Sequence, residues 1–259
     1  MRENTWKTAI TSIAPNEIRL RGYRIDELMG RIDFGQALYL LLRGELPDEK
    51  VGRLVTAILV SSVDHGVTPP SVLGARNAAS TGAPLNACVA AGVLAINRLH
   101  GGAIEDCARS LTEIVRRADA WGCPVADAAD QTLGEYKQQK VRIAGFGHRV
   151  HTTDPRTARL FELAADAGVS GRYVEAALAV EAWFAKQGKP LPINVDGAIG
   201  AVLCELGFEP EVMNGFFILA RTAGLIAHAR EEMTRERPMR KIDQDAAEYD
   251  GPPPRTARS

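Results

Sequence analysis

Ile104-Glu105-Asp106-Cys107-Ala108-Arg109-Ser110-Leu111-Thr112-Glu113-Ile114-Val115-Arg116-Arg117-Ala118 decides the fold class of this 259-residue chain. Its apolar residues Ile104, Cys107, Leu111, Ile114 and Ala118 recur at spacings of three and four, the stripe of an amphipathic helix. Breakers bound it on both sides, His100-Gly101-Gly102 before and Gly122-Cys123-Pro124 after. Leu54, Ile58, Leu59 and Val63 repeat the stripe upstream, and Val212, Phe216, Leu219, Ala223 and Ile226 repeat it downstream. Further breakers at 44–47, 66–70, 82–84 and 188–192 punctuate the helical segments. Strand signals are confined to 141–143 and 192–195, without regular alternation. No internal repeat is visible. The expectation is a mainly α protein whose tail, from Asp243 into Gly251-Pro252-Pro253-Pro254, is loose.

Composition narrows the function classes. Hydrophobic residues make up 46% of the chain and charged residues 24%, an ordinary soluble balance. A formal charge of −1 gives no general attraction to nucleic acid or anionic lipid, so anions must be held by local arginines. The longest apolar stretch, 216–229, is broken by Arg221 and His228, and no signal-peptide h-region is present. Neither a nucleic-acid nor a membrane partner is expected. Cys88, Cys107, Cys123 and Cys204 are scattered without a CxxC pair, which reads as reduced thiols in a cytoplasmic protein.

Four short strings set ionisable groups among glycines, where a ligand or a second backbone can approach closely. Asp64-His65-Gly66 follows a helical stripe; alone it reads as a helix C-terminus with a glycine cap. His100-Gly101-Gly102 has the same shape. Gly145-Phe146-Gly147-His148-Arg149-Val150 lacks the third glycine and the βαβ context of a dinucleotide loop. His148-x-x-His151 lacks the flanking ligands of a familiar metal motif, so no metal is expected. What remains is a turn presenting His148 and Arg149, followed by Asp154-Pro155-Arg156, which suits a carboxylate or phosphate ligand. Asn194-Val195-Asp196-Gly197 precedes an apolar run. There Asp196 is either an N-cap or a carboxylate held at a helix start as a general base. Arg221 and His228, seven apart on one helix, share a face; a buried Arg221 would need an anionic partner.

Taken together and in order, these strings resemble the citrate synthase superfamily over about 12–242. The pattern runs DH, HGG, GFGHRV followed by DPR, NVD, the ARTxGxIAH helix (here 220–228) and an Arg-Pro at Arg237-Pro238. Asp64-His65-Gly66 and the NVDGAIG string from Asn194 to Gly200 differ from the DHE and NVDFYSG of ordinary citrate synthases. They look like the citryl-CoA lyase module found alone and as the C-terminal part of ATP-citrate lyase. His151 stands where the motif often has Tyr.

The resemblance implies an all-α, two-domain fold. A large domain would comprise 1–105 plus 207–245, a small domain 106–206 would close over CoA, and 246–259 would be a loose tail. It implies metal-independent retro-Claisen cleavage of citryl-CoA to acetyl-CoA and oxaloacetate, with CoA as part of the substrate and no tightly bound cofactor. Asp196 matches the group that moves the proton on the acetyl carbon, His100 the holder of the thioester enolate oxygen, and His148 the group at the citryl hydroxyl. His65, Arg156 and Arg221 match the dicarboxylate grip. Arg237 matches an arginine that family dimers donate to the neighbouring site, so a homodimer or dimer of dimers is expected. Arg142, Gly145, Gly147 and Arg149 match the CoA side. Two alternatives stand beside this one: an enzyme condensing or cleaving a different oxo acid and acyl-CoA, and an idle CoA- or citrate-binding module.

Overall fold

In the computed structural model, residues 6–147, 154–241 and 244–256 are described. The chain opens with an antiparallel sheet of three short strands, β1 (Thr11–Ala14), β2 (Glu17–Leu20) and β3 (Tyr23–Arg24), with Ile13 opposite Ile18 and Leu20 opposite Tyr23. A single turn, α1 (Ile25–Leu28), leads into the helices α2 (Phe34–Arg43), α3 (Glu49–Ser61), α4 (Pro70–Ser80), α5 (Leu85–Leu94) and α6 (Ala103–Trp121). Then follow α7 (Val125–Gln139), α8 (Pro155–Asp166), α9 (Arg172–Lys186), α10 (Val195–Glu205) and α11 (Pro210–Arg235).

The expected helices form, and each cluster of breakers falls between two of them. Local chemistry sets several ends. Asp33 and Gln36 make a reciprocal capping box at the start of α2, and Asp48 accepts from the Val51 amide at the start of α3, satisfying amides that have no partner within the helix. Gly44 and Gly122 end α2 and α6 in the left-handed conformation. The N-terminal sheet was not legible in the sequence. Its strands are two to four residues long and none of their residues is fully buried, so no alternation marks them.

The two expected strand pieces do not form strands. The second meets the chain just beyond the first at one bridge, Phe146 to Ile193. The Asn194 amide donates to the Gly145 carbonyl at 3.0 Å, and the Gly147 amide donates to the Pro192 carbonyl at 2.7 Å. A longer ladder is prevented because α10 begins immediately at Val195.

Helix α6 runs through the middle of the core. Its predicted stripe residues Ile104, Cys107, Leu111 and Ile114 are fully buried; each large one contributes roughly 1.5–3 kcal/mol by leaving water. They belong to one continuous cluster that also holds Leu54 and Ile58 of α3, Leu133 of α7, Leu160 of α8, Val180 of α9, Leu203 of α10 and Phe216 of α11. Nearly all of α10 is buried, Gly197 to Cys204 without a break. Helix α11, at 26 residues, is long and apolar enough to cross a membrane by length and composition alone, which the interrupted 216–229 stretch had not suggested. Here it is a core helix: it packs on α4, α5 and α6 and buries Met213, Phe216, Leu225 and Ala229.

Candidate active site

The starts of α4, α6, α8 and α10, the 62–69 loop and the middle of α11 surround one cleft of about 740 Å³. Its walls include His65, His100, Gly147, Arg156, Asp196, Phe217 and Arg221. Residues spread over more than 150 positions of sequence are thus brought to one place.

Asp196 occupies the second position of α10. It is not the N-cap: Asn194 fills that role, its side-chain oxygen accepting from the Asp196 and Gly197 amides at 3.0 and 3.2 Å. The Asp196 carboxylate is therefore free of capping duty. Burial pushes its pKa up; Arg156 and Arg221 oppose the rise without cancelling it, and Asp154 adds to it. Two glycines fix the turn that carries it. Gly145, at φ +86°, has space for no side chain: a Cβ there would lie 2.6 Å from Cys107 Sγ and 2.7 Å from Gly197 Cα. A Cβ on Gly197 would run into the Gly145 carbonyl.

His100 ends a tight turn in which it exchanges two 2.8 Å backbone hydrogen bonds with Asn97. It thus precedes α6 and does not end α5, which stops at Leu94. Likewise Asp64-His65-Gly66 is a loop after α3 has closed at Ser61. The His100 ring stands edge-on to Phe217 at 5.8 Å, and its Nε2 is 2.8 Å from the hydroxyl of buried Ser71. Burial first, and Arg221 second, pull its pKa down, which favours the neutral imidazole. If the Ser71 hydroxyl donates to Nε2, the other ring nitrogen carries the proton and can donate into the cleft. Ser71→Ala is expected to lower turnover about tenfold through loss of that tautomer control. Steady-state kinetics would check it, and unchanged kcat would show that Ser71 does not set the proton.

The two cleft arginines differ. Arg156 is largely satisfied within the protein: its Nε and Nη2 donate to the two Asp154 oxygens at 3.0 and 2.8 Å, and Nη1 donates to the Ser61 carbonyl at 3.2 Å. Asp154, itself buried, also accepts from the Val195 amide at 3.2 Å, so one carboxylate ties the start of α8 to the start of α10. Burial alone would raise the Asp154 pKa, but Arg156 wins and lowers it. Arg221 is 3% exposed. It stacks over the Phe217 ring at 4.7 Å and its Nε donates to the Ser62 carbonyl at 3.3 Å. Its Nη1 is buried with no hydrogen-bond partner among the described residues. An unpaired buried donor is costly, and an anion entering the cleft would relieve it.

Other expected residues lie elsewhere. Arg142 lines a separate groove of about 650 Å³ with Tyr136, Lys137, Lys140, Phe146, Trp183 and Lys189. Gly145 is buried behind the cleft, and Gly147 alone of that pair reaches its wall. Arg237 is exposed and does not line the cleft of its own chain. His148, Arg149 and His151 lie outside the described residues. Sequence reasoning gave no role to Ser71 or Phe217, and none to Asp154 and Asn194 although both stood in the quoted strings. Only Asn194 carried a signal, as a cap-type residue directly before a helical run. Among the described residues, no three His, Cys, Asp or Glu side chains gather as a metal site.

Comparison with known proteins places this cleft in context. Residues 47–242 match the family description "Citrate synthase, C-terminal domain". ATP-citrate synthase beta chain protein 2 of Arabidopsis thaliana is 30% identical over 213 residues, covering 72% of this chain and 32% of that protein. The chain thus spans about a third of the length of the curated relatives it matches. The structure of citryl-CoA lyase from Hydrogenobacter thermophilus covers 98% of each chain with a TM-score of 0.89 and 41% identity. ATP citrate lyase of Methanosaeta concilii, in complex with (3S)-citryl-CoA, aligns with 98% of this chain and 43% of its own at a TM-score of 0.82 and 27% identity. With the family description spanning most of its length, this chain belongs to the citrate synthase family.

Proposed function

We propose that this chain is a citryl-CoA lyase, cleaving citryl-CoA to acetyl-CoA and oxaloacetate without ATP. The carrying observation is a single cleft that holds a buried carboxyl with a raised pKa, a histidine with a lowered one and a buried arginine with an unpaired Nη1. The likeness to citryl-CoA lyase across 98% of both chains supports the same reading.

Each group then has a step. Arg221 and Arg156 grip the carboxylates of the oxaloacetate half, and His65 lies beside them. His148 takes the proton of the citryl hydroxyl as the adjacent C–C bond breaks. The bonding electron pair passes to the thioester as an enolate, whose oxygen accepts a hydrogen bond from neutral His100. Asp196, protonated, gives its proton to the enolate carbon, producing the acetyl methyl group. No metal is assigned a part in these steps. The nucleotide end of CoA extends past the 145–147 turn towards the basic, aromatic groove that contains Arg142; Arg149 is assigned to the CoA side by the family motif alone. Residues 106–206 form the part that closes over CoA, and the protein works in the cytoplasm.

The active form is a homodimer or dimer of dimers, with Arg237 completing the neighbour's cleft. Exposed Leu73, Leu85, Leu94, Ile226 and Met233 on α4, α5 and α11 provide an apolar face for that contact. Light scattering should report a dimer or larger; a monomer at assay concentration would overturn this part. For the reaction itself, citryl-CoA cleavage is followed by coupling oxaloacetate to malate dehydrogenase and NADH. Cleavage without net thioester hydrolysis is expected. Release of free CoA from acetyl-CoA plus oxaloacetate, with no citryl-CoA cleavage, would point to a condensing enzyme.

A further inference from the structure

Helix α11 grips the 62–66 loop at three successive points. The Arg221 Nε donates to the Ser62 carbonyl at 3.3 Å. At Gly224 the loop comes so close that a Cβ would lie 2.5 Å from the Val63 carbonyl and 3.0 Å from Asp64 Oδ1. At His228, Nε2 meets Asp64 Oδ1 at 3.0 Å. Residues 221, 224 and 228 share one helix face, and they meet 62, 63 and 64 in the same order. The next residue is His65, in the cleft wall. Arg156 is held just before the loop, its Nη1 donating to the carbonyl of Ser61, the last residue of α3.

We propose that His228 is a positioning residue: through Asp64 it holds the 62–66 loop in register on α11, and so holds His65 and Arg221 where they meet the dicarboxylate. This rests on the dicarboxylate reading of the cleft. The hydrogen bonds are consistent with a latch. Asp64 Oδ2 accepts from the Gly66 amide at 2.9 Å, which leaves Oδ1 for His228. His228 Nδ1 is buried without a hydrogen-bond partner among the described residues. With the proton on Nε2, Nδ1 carries only a lone pair and strands no donor. The second point of the grip, at Gly224, has no side chain to trim, and Arg221 belongs to the cleft itself, so the side chain at 228 is the point at which the register can be loosened without adding bulk or touching the cleft.

The test separates this latch from the functional reading by measuring oxaloacetate binding by calorimetry alongside citryl-CoA kinetics. His228→Leu should weaken oxaloacetate binding about three- to tenfold, a modest value because Asp64 is partly exposed. KM for citryl-CoA should rise more than kcat falls. His228→Gln, which keeps a donor able to reach Asp64, should restore most of the affinity. If His228→Leu lacks a cooperative melt, His228→Asn, polar but too short to reach, takes its place. The His228→Leu/Asp64→Ala double variant should lose no more affinity than the worse single one. Equal affinity for wild type and His228→Leu, or no rescue by Gln, overturns the latch. Failure of the wild type to bind oxaloacetate instead overturns the functional reading on which it rests.

Discussion

Asp196→Asn should lower citryl-CoA turnover by about 10²–10⁴-fold, the usual worth of a positioned general acid, and at the same time raise the melting temperature of the unliganded protein at neutral pH. Both effects come from the buried setting of one carboxyl. Burial raises the Asp196 pKa, so the native state binds its proton more tightly than the unfolded chain does. A carboxyl raised in this way gives its full stability below the unfolded pKa, and loses it as pH rises through the native pKa. An amide carries no charge to desolvate, so the variant escapes that loss. The gap in melting temperature should therefore close as pH is lowered. Cleavage by the wild type should fall as pH rises through the same pKa, because delivery of a proton to the enolate carbon needs the acid form. Kinetics and thermal melts across pH check both. A variant that stays active, or that melts earlier at neutral pH, contradicts the assignment.

Glu232→Ala should cost about 1–3 kcal/mol, because it removes the nearest and most buried of the carboxylates around Arg76 and leaves only Glu231 at 3.4 Å and Glu236 at 3.7 Å. The Glu232 side chain is 0% exposed and lies 2.7 Å from the Nε of Arg76, itself buried; the Nε of Arg240 donates to the same carboxylate at 2.8 Å. Arg240 first and Arg76 next hold the Glu232 pKa below its ordinary value. For a carboxylate lowered in this way, the stability is fully present above the unfolded pKa and is lost as pH falls through the native one. A fall in melting temperature of about 5 °C is expected at pH 7, shrinking in acid. The same cluster fastens 236–241 beneath α4, where the Met239 amide also donates to the Ser80 carbonyl at 2.7 Å. The loss should therefore also release the segment that carries Arg237. An unchanged melt at pH 7 would mean that the cluster is screened and holds nothing.

The helices were legible because their cause is local. Ile104, Cys107, Leu111 and Ile114 form a stripe that any helix would bury, and the caps that bound the helices lie within a few residues of them. The site was legible as a set of strings, and the cleft contains His65, His100, Arg156, Asp196 and Arg221 together. What stayed hidden was support that depends on partners far along the chain. Nothing near Ser71 announces His100, 29 positions away, and nothing near Asp154 announces Val195. Phe217 reads as one more apolar residue of a helix until its ring is seen between His100 and Arg221. The three strands escaped for the opposite reason: short and without a fully buried residue, they left no pattern to read.

The crossing of Gly145 and Gly197 constrains how this site can diverge. A methyl group at either position needs room that the other backbone already occupies, and at Gly145 that Cys107 occupies as well; larger groups need more. The three positions therefore form a linked set, in which a change at one is viable only with a matching retreat at another. Substrate range can drift through the arginines and the cleft walls one substitution at a time. The location of Asp196 cannot, because it is defined by the absence of side chains on two crossing backbones.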